Sequence, residues 1–237
     1  VPMIRSIQTN SVITALGGAL TTNWIGTVLS NMNSIGLISS FSNASVHIYP
    51  GNDASGPSIN QIISAYGLPW MNTESGNVDH GALVGEAGAG RVEGTAVERF
   101  YEAERYYNGT GRRAMLTTKN HIESLGDGAI RIFTYDHRAY APDHFDQEFT
   151  GLEYDDTLKP ISVALANAAW HIDGKSTLGR GHASTNVISY VWDGGTNTVI
   201  SAHSNSETNL YTVTLPVGFP GFVRRDFYGN AVGTNEA

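Results

Sequence analysis

The sequence predicts an α/β fold: a parallel sheet covered by helices, followed by a smaller antiparallel β module. Three observations lead there. Residues 1–173 alternate between strand-like and helix-like patterning four times, which implies a parallel sheet with helices packed on it. Beyond Gly174 the pattern changes to short stretches of period-two alternation separated by turn residues. And 237 residues with 41% apolar side chains suffice for a real core in one large domain or two modest ones. The boundary falls near 174, giving regions 1–173 and 174–237.

Taken in order, Pro2 to Ile7 reads as a short strand. A helix is predicted over Thr22 to Ile38, apolar at Trp24, Ile25, Val28, Leu29 and Met32, with Thr21 or Thr22 as N-cap. Ala44 to Tyr49 is β-branched and aromatic and is stopped by Pro50-Gly51, so it reads as the second strand. Ser58 to Tyr66 places Ile59, Ile62, Ile63 and Tyr66 on one side of a short helix that Gly67 ends. Leu68 to Glu74 is the third strand. A glycine-rich loop runs from Gly76 to Gly94, and a helical region covers Thr95 to Leu125, broken near Asn108–Gly111. Ala129 to Tyr135 is the fourth strand. Leu158 to Ile172 is a helix with Pro160 in its first turn, where a missing N–H costs nothing. The β module then has four predicted stretches: Val187–Trp192, Thr198–His203, Tyr211–Leu215 and Phe222–Arg225.

Composition narrows the function. There are 14 Lys and Arg against 22 Asp and Glu, a formal charge of −8. With no basic run, nucleic acid and anionic membrane are poor partners. The absence of Cys excludes disulfides, thiolate metal sites and thiol catalysis. No apolar run approaches the roughly 20 residues of a membrane span. Charged residues make up only 15%, Gly numbers 27, and Lys occurs only at Lys119, Lys159 and Lys175. Such a neutral, hydroxyl- and amide-rich surface points to an extracellular or virion-associated setting.

Ligands of parallel α/β sheets bind at the carboxyl ends of the strands. The second strand ends in His47-Ile48-Tyr49, the third in Asn72-Thr73-Glu74, the fourth in Tyr135-Asp136. Simple alternation puts His47 and Tyr49 on one face, and Trp70, Asn72 and Glu74 together on another. Ile130, Ile132 and Thr134 suit the helix side, which leaves Arg131, Phe133 and Tyr135 pointing away from it. The polar strand ends then converge on Glu74. A carboxylate hydrogen-bonded by His and Tyr stays ionised and oriented, as a nucleophile requires, and Tyr49, Trp70 and Tyr135 offer faces to a sugar ring. The alternative is a solvated strand-end residue.

Three blocks, in order, resemble the retaining glycoside hydrolases of clan A, which are (β/α)8 barrels. Val46-His47-Ile48-Tyr49-Pro50 resembles their sixth-strand H-x-Y. Leu68 to Gly76, LPWMNTESG, resembles the seventh strand that ends in the nucleophile, and Gly128 to Tyr135 resembles the eighth. Leu158-Lys159-Pro160 and the residues up to Leu165 look like the start of the last helix. Asp226-Phe227-Tyr228-Gly229-Asn230 is similar to a D-x-Y-G-N stretch of the small β-sandwich often joined to such barrels. The resemblance implies the C-terminal half of a (β/α)8 barrel, strands 5–8 over residues 1–173, then a β-sandwich module over 174–237.

It further implies double displacement at a carbohydrate substrate with no cofactor or metal. Glu74 is the nucleophile, and His47, Tyr49, Asn72, Trp70, Tyr135 and Asp136 contact substrate. The family's acid/base Glu sits on the fourth strand, and residues 1–40 hold no Asp or Glu. The expectation is therefore a fragment whose acid/base lies upstream and whose partner is the missing half-barrel. A degenerate, non-catalytic carbohydrate-binding or structural protein is the main competitor, and a flavodoxin-like domain a weaker one, since no phosphate loop follows the first strand. The cluster Asp136, His137, Asp143, His144 and Asp146 fits no metal spacing. Gly85 to Gly94 lacks a nucleotide-binding arrangement, and no Gly-x-Ser-x-Gly elbow occurs. Trp170 is expected at the junction of the two regions, and Trp192 in the core of the β module.

Overall fold

The computed structural model describes residues 10–18, 21–48, 56–75, 110–134, 153–154, 157–158, 160–183, 186–204, 211 and 221–236. Four parallel strands form one sheet in sequence order: β1 (Thr14–Leu16), β2 (Asn43–His47), β3 (Trp70–Ser75) and β4 (Ala129–Thr134). The strand expected at 2–7 lies outside the described residues. The first strand seen is the three-residue β1, followed by Gly17 and Gly18, both at positive φ. So short a segment leaves no alternation to read.

Helix α1 (Thr22–Ser34) starts where Thr21 Oγ1 accepts the Trp24 N–H at 3.3 Å. It stops four residues earlier than the apolar pattern predicted. Gly36 takes the left-handed conformation, its N–H donates to Asn33 O, and the Leu37 N–H donates to Met32 O. That double closure satisfies the last free carbonyls and ends the helix. Helix α2 (Gly56–Ser64) follows. Ile25 and Leu29 of α1 and Ile59 and Ile63 of α2 pack on Ala44, Val46, Ile48, Leu68, Trp70 and Ala129. Trp24, expected on that apolar face, is 46% exposed instead.

Helix α3 (Thr110–Gly126) covers the same side of the sheet, and α4 (Pro160–Ile172) packs on it through Ala114, Ile161 and Ala164. Residues 95–109 of the predicted helical region lie outside the described residues. No described helix is long and apolar enough to cross a membrane. Trp170 does not sit at a junction: it is 85% exposed on α4.

The antiparallel part comprises a small ladder, β5 (Glu153–Tyr154) with β6 (Thr157–Leu158), a sheet of β7 (Ser176–Ala183), β8 (Val187–Asp193) and β9 (Thr198–Ser204), and a hairpin of β10 (Gly221–Arg225) and β11 (Ala231–Glu236). Strand β7 escaped the sequence reading because Gly179 and Gly181 interrupt it and its pairing with β8 shifts register twice. Trp192 is buried, with its Nε1 donating to Ser201 Oγ at 3.0 Å. Residues 212–215 of the predicted third stretch lie outside the described residues, and Tyr211 is not in a strand.

The segment Asp226–Asn230 makes the β10–β11 turn. Asp226 Oδ1 accepts the N–H groups of Tyr228 and Asn230, and Oδ2 accepts Asn230 Nδ2, each at 2.9 Å. Phe227 and Tyr228 pack against the α3–α4 contact, and Asn167 Nδ2 donates to Phe227 O. Gly229 has φ 93°, and a Cβ there would lie 2.6 Å from Asn167 Oδ1, so only glycine fits the turn against α4.

Candidate active site

The chemistry-bearing strand ends are brought together by a defect in the sheet. Ala44, Ser45 and Val46 of β2 pair with Trp70, Met71 and Asn72 of β3, but His47 pairs with Glu74. Thr73 is thus an extra residue. On the other side, Asn72 pairs with Ile132 and Ser75 with Thr134, so the extra residue is seen from β4 as well. Strand side chains alternate faces, and one inserted residue reverses the order beyond it.

The consequence corrects the simple alternation. Trp70 and Asn72 face the helices: Trp70 is buried with its Nε1 donating to Asn60 Oδ1 of α2 at 3.1 Å, and Asn72 is fully buried. Glu74, past the inserted Thr73, turns to the face away from the helices. There its Oε2 lies 3.1 Å from His47 Nδ1, both side chains partly exposed. The two substrate contacts expected from Trp70 and Asn72 are therefore not available on this face. Tyr49, Tyr135 and Asp136 lie outside the described residues, as do the acidic and histidine residues of 136–146.

Strand β4 behaves the same way. Ala129 pairs with Trp70 but Arg131 with Met71, so Ile130 is an inserted residue and is 53% exposed, not packed on the helices. Ile132 and Thr134 face α3, and Arg131 and Phe133 face away, Phe133 being 47% exposed.

A buried polar network holds the bulge, and sequence reasoning missed it. The Asn72 carboxamide stands in for a missing strand partner: Oδ1 accepts Ile48 N–H at 3.1 Å and Nδ2 donates to Ile48 O at 3.3 Å. Asn72 Nδ2 also reaches Ser124 Oγ of α3 at 3.2 Å. Asn120 of α3 donates to Ile48 O at 2.9 Å and to Ser75 Oγ at 2.6 Å. Every member is buried. Together they clamp the carboxyl ends of β2 and β3 to one helix, on either side of the residue that aims Glu74. The sequence signal is faint: Asn120 and Ser124 are four residues apart, one turn along α3.

Replacing Asn72 by Ala should orphan the buried Ile48 N–H and remove two further bonds. The expected destabilisation is about 2–4 kcal/mol. Urea unfolding measures it, and a midpoint within error of the parent's would refute this role.

One neighbour titrates unusually. His121 of α3 lies with its Nε2 3.2 Å from Thr134 Oγ1, and burial pushes its pKa from 6.5 to about 4. The unfolded chain takes up this proton near pH 6.5 while the folded chain resists until about pH 4. Its contribution to stability is complete above pH 6.5 and falls away as the pH drops toward 4, by on the order of 3 kcal/mol. Urea midpoints at pH 7.5 and pH 4.5 measure the slope, and His121→Gln should flatten part of it.

Comparison with known proteins adds the fold. No protein-family model and no curated protein matches the chain. Among solved structures, a family 39 glycoside hydrolase from the gut symbiont Bacteroides cellulosilyticus WH2 matches with a TM-score of 0.59 and 14% identity, over 86% of this chain and 42% of that one. The chain thus spans about two fifths of that enzyme's length, and at this identity the likeness is one of fold.

Proposed function

We propose that this chain carries the nucleophile side of a retaining glycoside hydrolase, within part of a (β/α)8 barrel, with Glu74 as the attacking carboxylate. The observation that carries the reading is the His47–Glu74 pair, at 3.1 Å, on the carboxyl ends of adjacent parallel strands and on the face turned away from the helices. The fold likeness to a glycoside hydrolase supports it.

In this reading Glu74 attacks the anomeric carbon, and the bond to the leaving oxygen breaks as a glycosyl ester forms. A second carboxyl group, which the sequence resemblance assigns to an upstream strand, gives its proton to the leaving oxygen. It then takes one from the water that hydrolyses the ester. Retention requires the two carboxyl groups about 5–5.5 Å apart. His47 holds one oxygen of Glu74, so the nucleophile enters the reaction already oriented. No cofactor is invoked, and the substrate is a polysaccharide or oligosaccharide.

The test is covalent trapping in the complete polypeptide that carries this chain. A panel of activated 2-deoxy-2-fluoro glycosides slows hydrolysis of the ester, and peptide mapping locates the adduct. A fluoroglycosyl group on Glu74 is the expected result. An adduct on another carboxylate, or turnover of the panel with Glu74 never labelled, would refute the assignment. Saturable sugar binding without turnover or labelling would instead favour the non-catalytic carbohydrate-binding reading.

A further inference from the structure

We infer that Asp127 is a positioning residue for Glu74, held in place by the β module and acting through α3. The inference rests on the reading of Glu74 given above.

Helix α3 is hydrogen-bonded on two sides. Toward the sheet, Asn120 and Ser124 bind Ile48, Ser75 and Asn72 and so fix the bulge that aims Glu74. Toward the β module, the residues that alternate with these carry a second set of bonds. Asp127, just past the helix end, accepts Arg180 Nε on one oxygen and the terminal Arg180 N–H2 on the other, both at 3.2 Å, and also accepts Tyr190 Oη–H at 2.9 Å. The Arg180 guanidinium lies 5.7 Å from the centre of the Tyr190 ring. Glu123 Oε1 lies 2.6 Å from His203 Nε2 and 3.8 Å from Lys119 Nζ, and the Gly126 carbonyl accepts from Thr177 Oγ1. Tyr190 is fully buried against Gly126, and the Asp127 side chain is 6% exposed.

The two sides are unequal. Those bonds from α3 to the sheet are single and neutral. Those to the module include a two-pronged, charge-assisted pair, a class roughly twice as strong as neutral hydrogen bonds. Ser124 and Asp127 are three residues apart, less than one helical turn. A rotation or slide of the α3 end therefore moves both sets at once, and the stronger set decides where the helix rests. Asp127→Asn removes the charge and keeps one acceptor oxygen, with an N–H2 donor in place of the other, so the two-pronged pair to Arg180 is lost. The helix end relaxes, Asn120 and Ser124 lose their aim, and the Thr73 bulge loosens between His47 and Glu74. The coupling runs through direct contacts at every step, which is a physical route and not spatial nearness alone.

The experiment compares Asp127→Asn and Tyr190→Phe in the complete polypeptide, at a temperature well below both melting points. Tyr190→Phe keeps the ring against Gly126 and removes only the hydroxyl, so it decides the matter if Asp127→Asn fails to fold. Two readouts are taken: kcat and KM on an activated aryl glycoside, and the ring nitrogen chemical shifts of His47 by NMR at one fixed pH. The expected result is a kcat lower by about tenfold for Asp127→Asn, as a small misplacement of a reacting group produces, with KM within about twofold. The ring nitrogen chemical shifts of His47 should change as its carboxylate neighbour moves away from Nδ1. Variants that melt lower but keep the parent's kcat and His47 ring chemical shifts would overturn the inference, leaving these residues as ordinary docking contacts. Where the parent cleaves no glycoside but the His47 ring chemical shifts change in the variants, the positioning role stands and the sugar-cleaving reading falls.

Discussion

Glu74→Gln is expected to lower turnover of an activated aryl glycoside by at least about a thousandfold, because the amide can neither attack nor leave as a carboxylate does. The fold should survive it. Glu74 and His47 are each partly exposed, and pairs of that kind contribute about 0–1 kcal/mol. For a chain of this size that is a melting shift of no more than roughly 2–4 °C. Glu74→Ala adds a sharper arm. Azide can occupy the vacated space, form a C–N bond at the anomeric carbon and displace the leaving group, giving a glycosyl azide of inverted configuration. Restored turnover with that product identifies Glu74 as the nucleophile. Equal turnover in Glu74→Gln and the parent would end the proposal.

Gly126→Ala should cost on the order of 3 kcal/mol, a fall in melting temperature of roughly 6–12 °C. A methyl group at Gly126 would lie 2.3 Å from Tyr190 Cδ1 and 2.5 Å from two further ring carbons. The ring cannot swing aside, since it is fully buried, its hydroxyl is tied to Asp127, and Ile172 and Trp192 pack beside it. Either α3 or β8 must move, and both carry other bonds. A double-mutant cycle isolates the clash: with Tyr190→Ala already present, adding Gly126→Ala should be close to neutral. A large cost in both backgrounds would place the effect elsewhere than at this contact.

These two substitutions probe two halves of one arrangement. At one end of α3 a glycine lets the β module close on the helix. Within two turns of it, the same helix holds the strand ends that present His47 and Glu74. The β module is in this sense packed as one body with the helix that covers the parallel sheet, not a tethered appendage: Ile122 and Leu125 of α3 share a cluster with Ile172, Tyr190 and Trp192.

What the sequence alone determined was whatever short-range chemistry decides. The alternation of strand and helix, a threonine cap at Thr21 or Thr22, Pro160 in the first turn of α4, and the strand stretches at 187–192 and 198–203 all follow from neighbours within a few residues. His47 and Glu74 were also recognisable as polar residues at strand ends. Which of their neighbours share their face was not. Period-two alternation assigns Asn72 and Glu74 to the same side, and the fold separates them by inserting Thr73 into β3 and Ile130 into β4. A bulge is stabilised by residues far away in the chain: here Asn120 and Ser124 lie 45 to 72 positions from the residues they hold. Only tertiary structure could decide its place, because a local pattern cannot record a hydrogen bond whose partner arrives from another element.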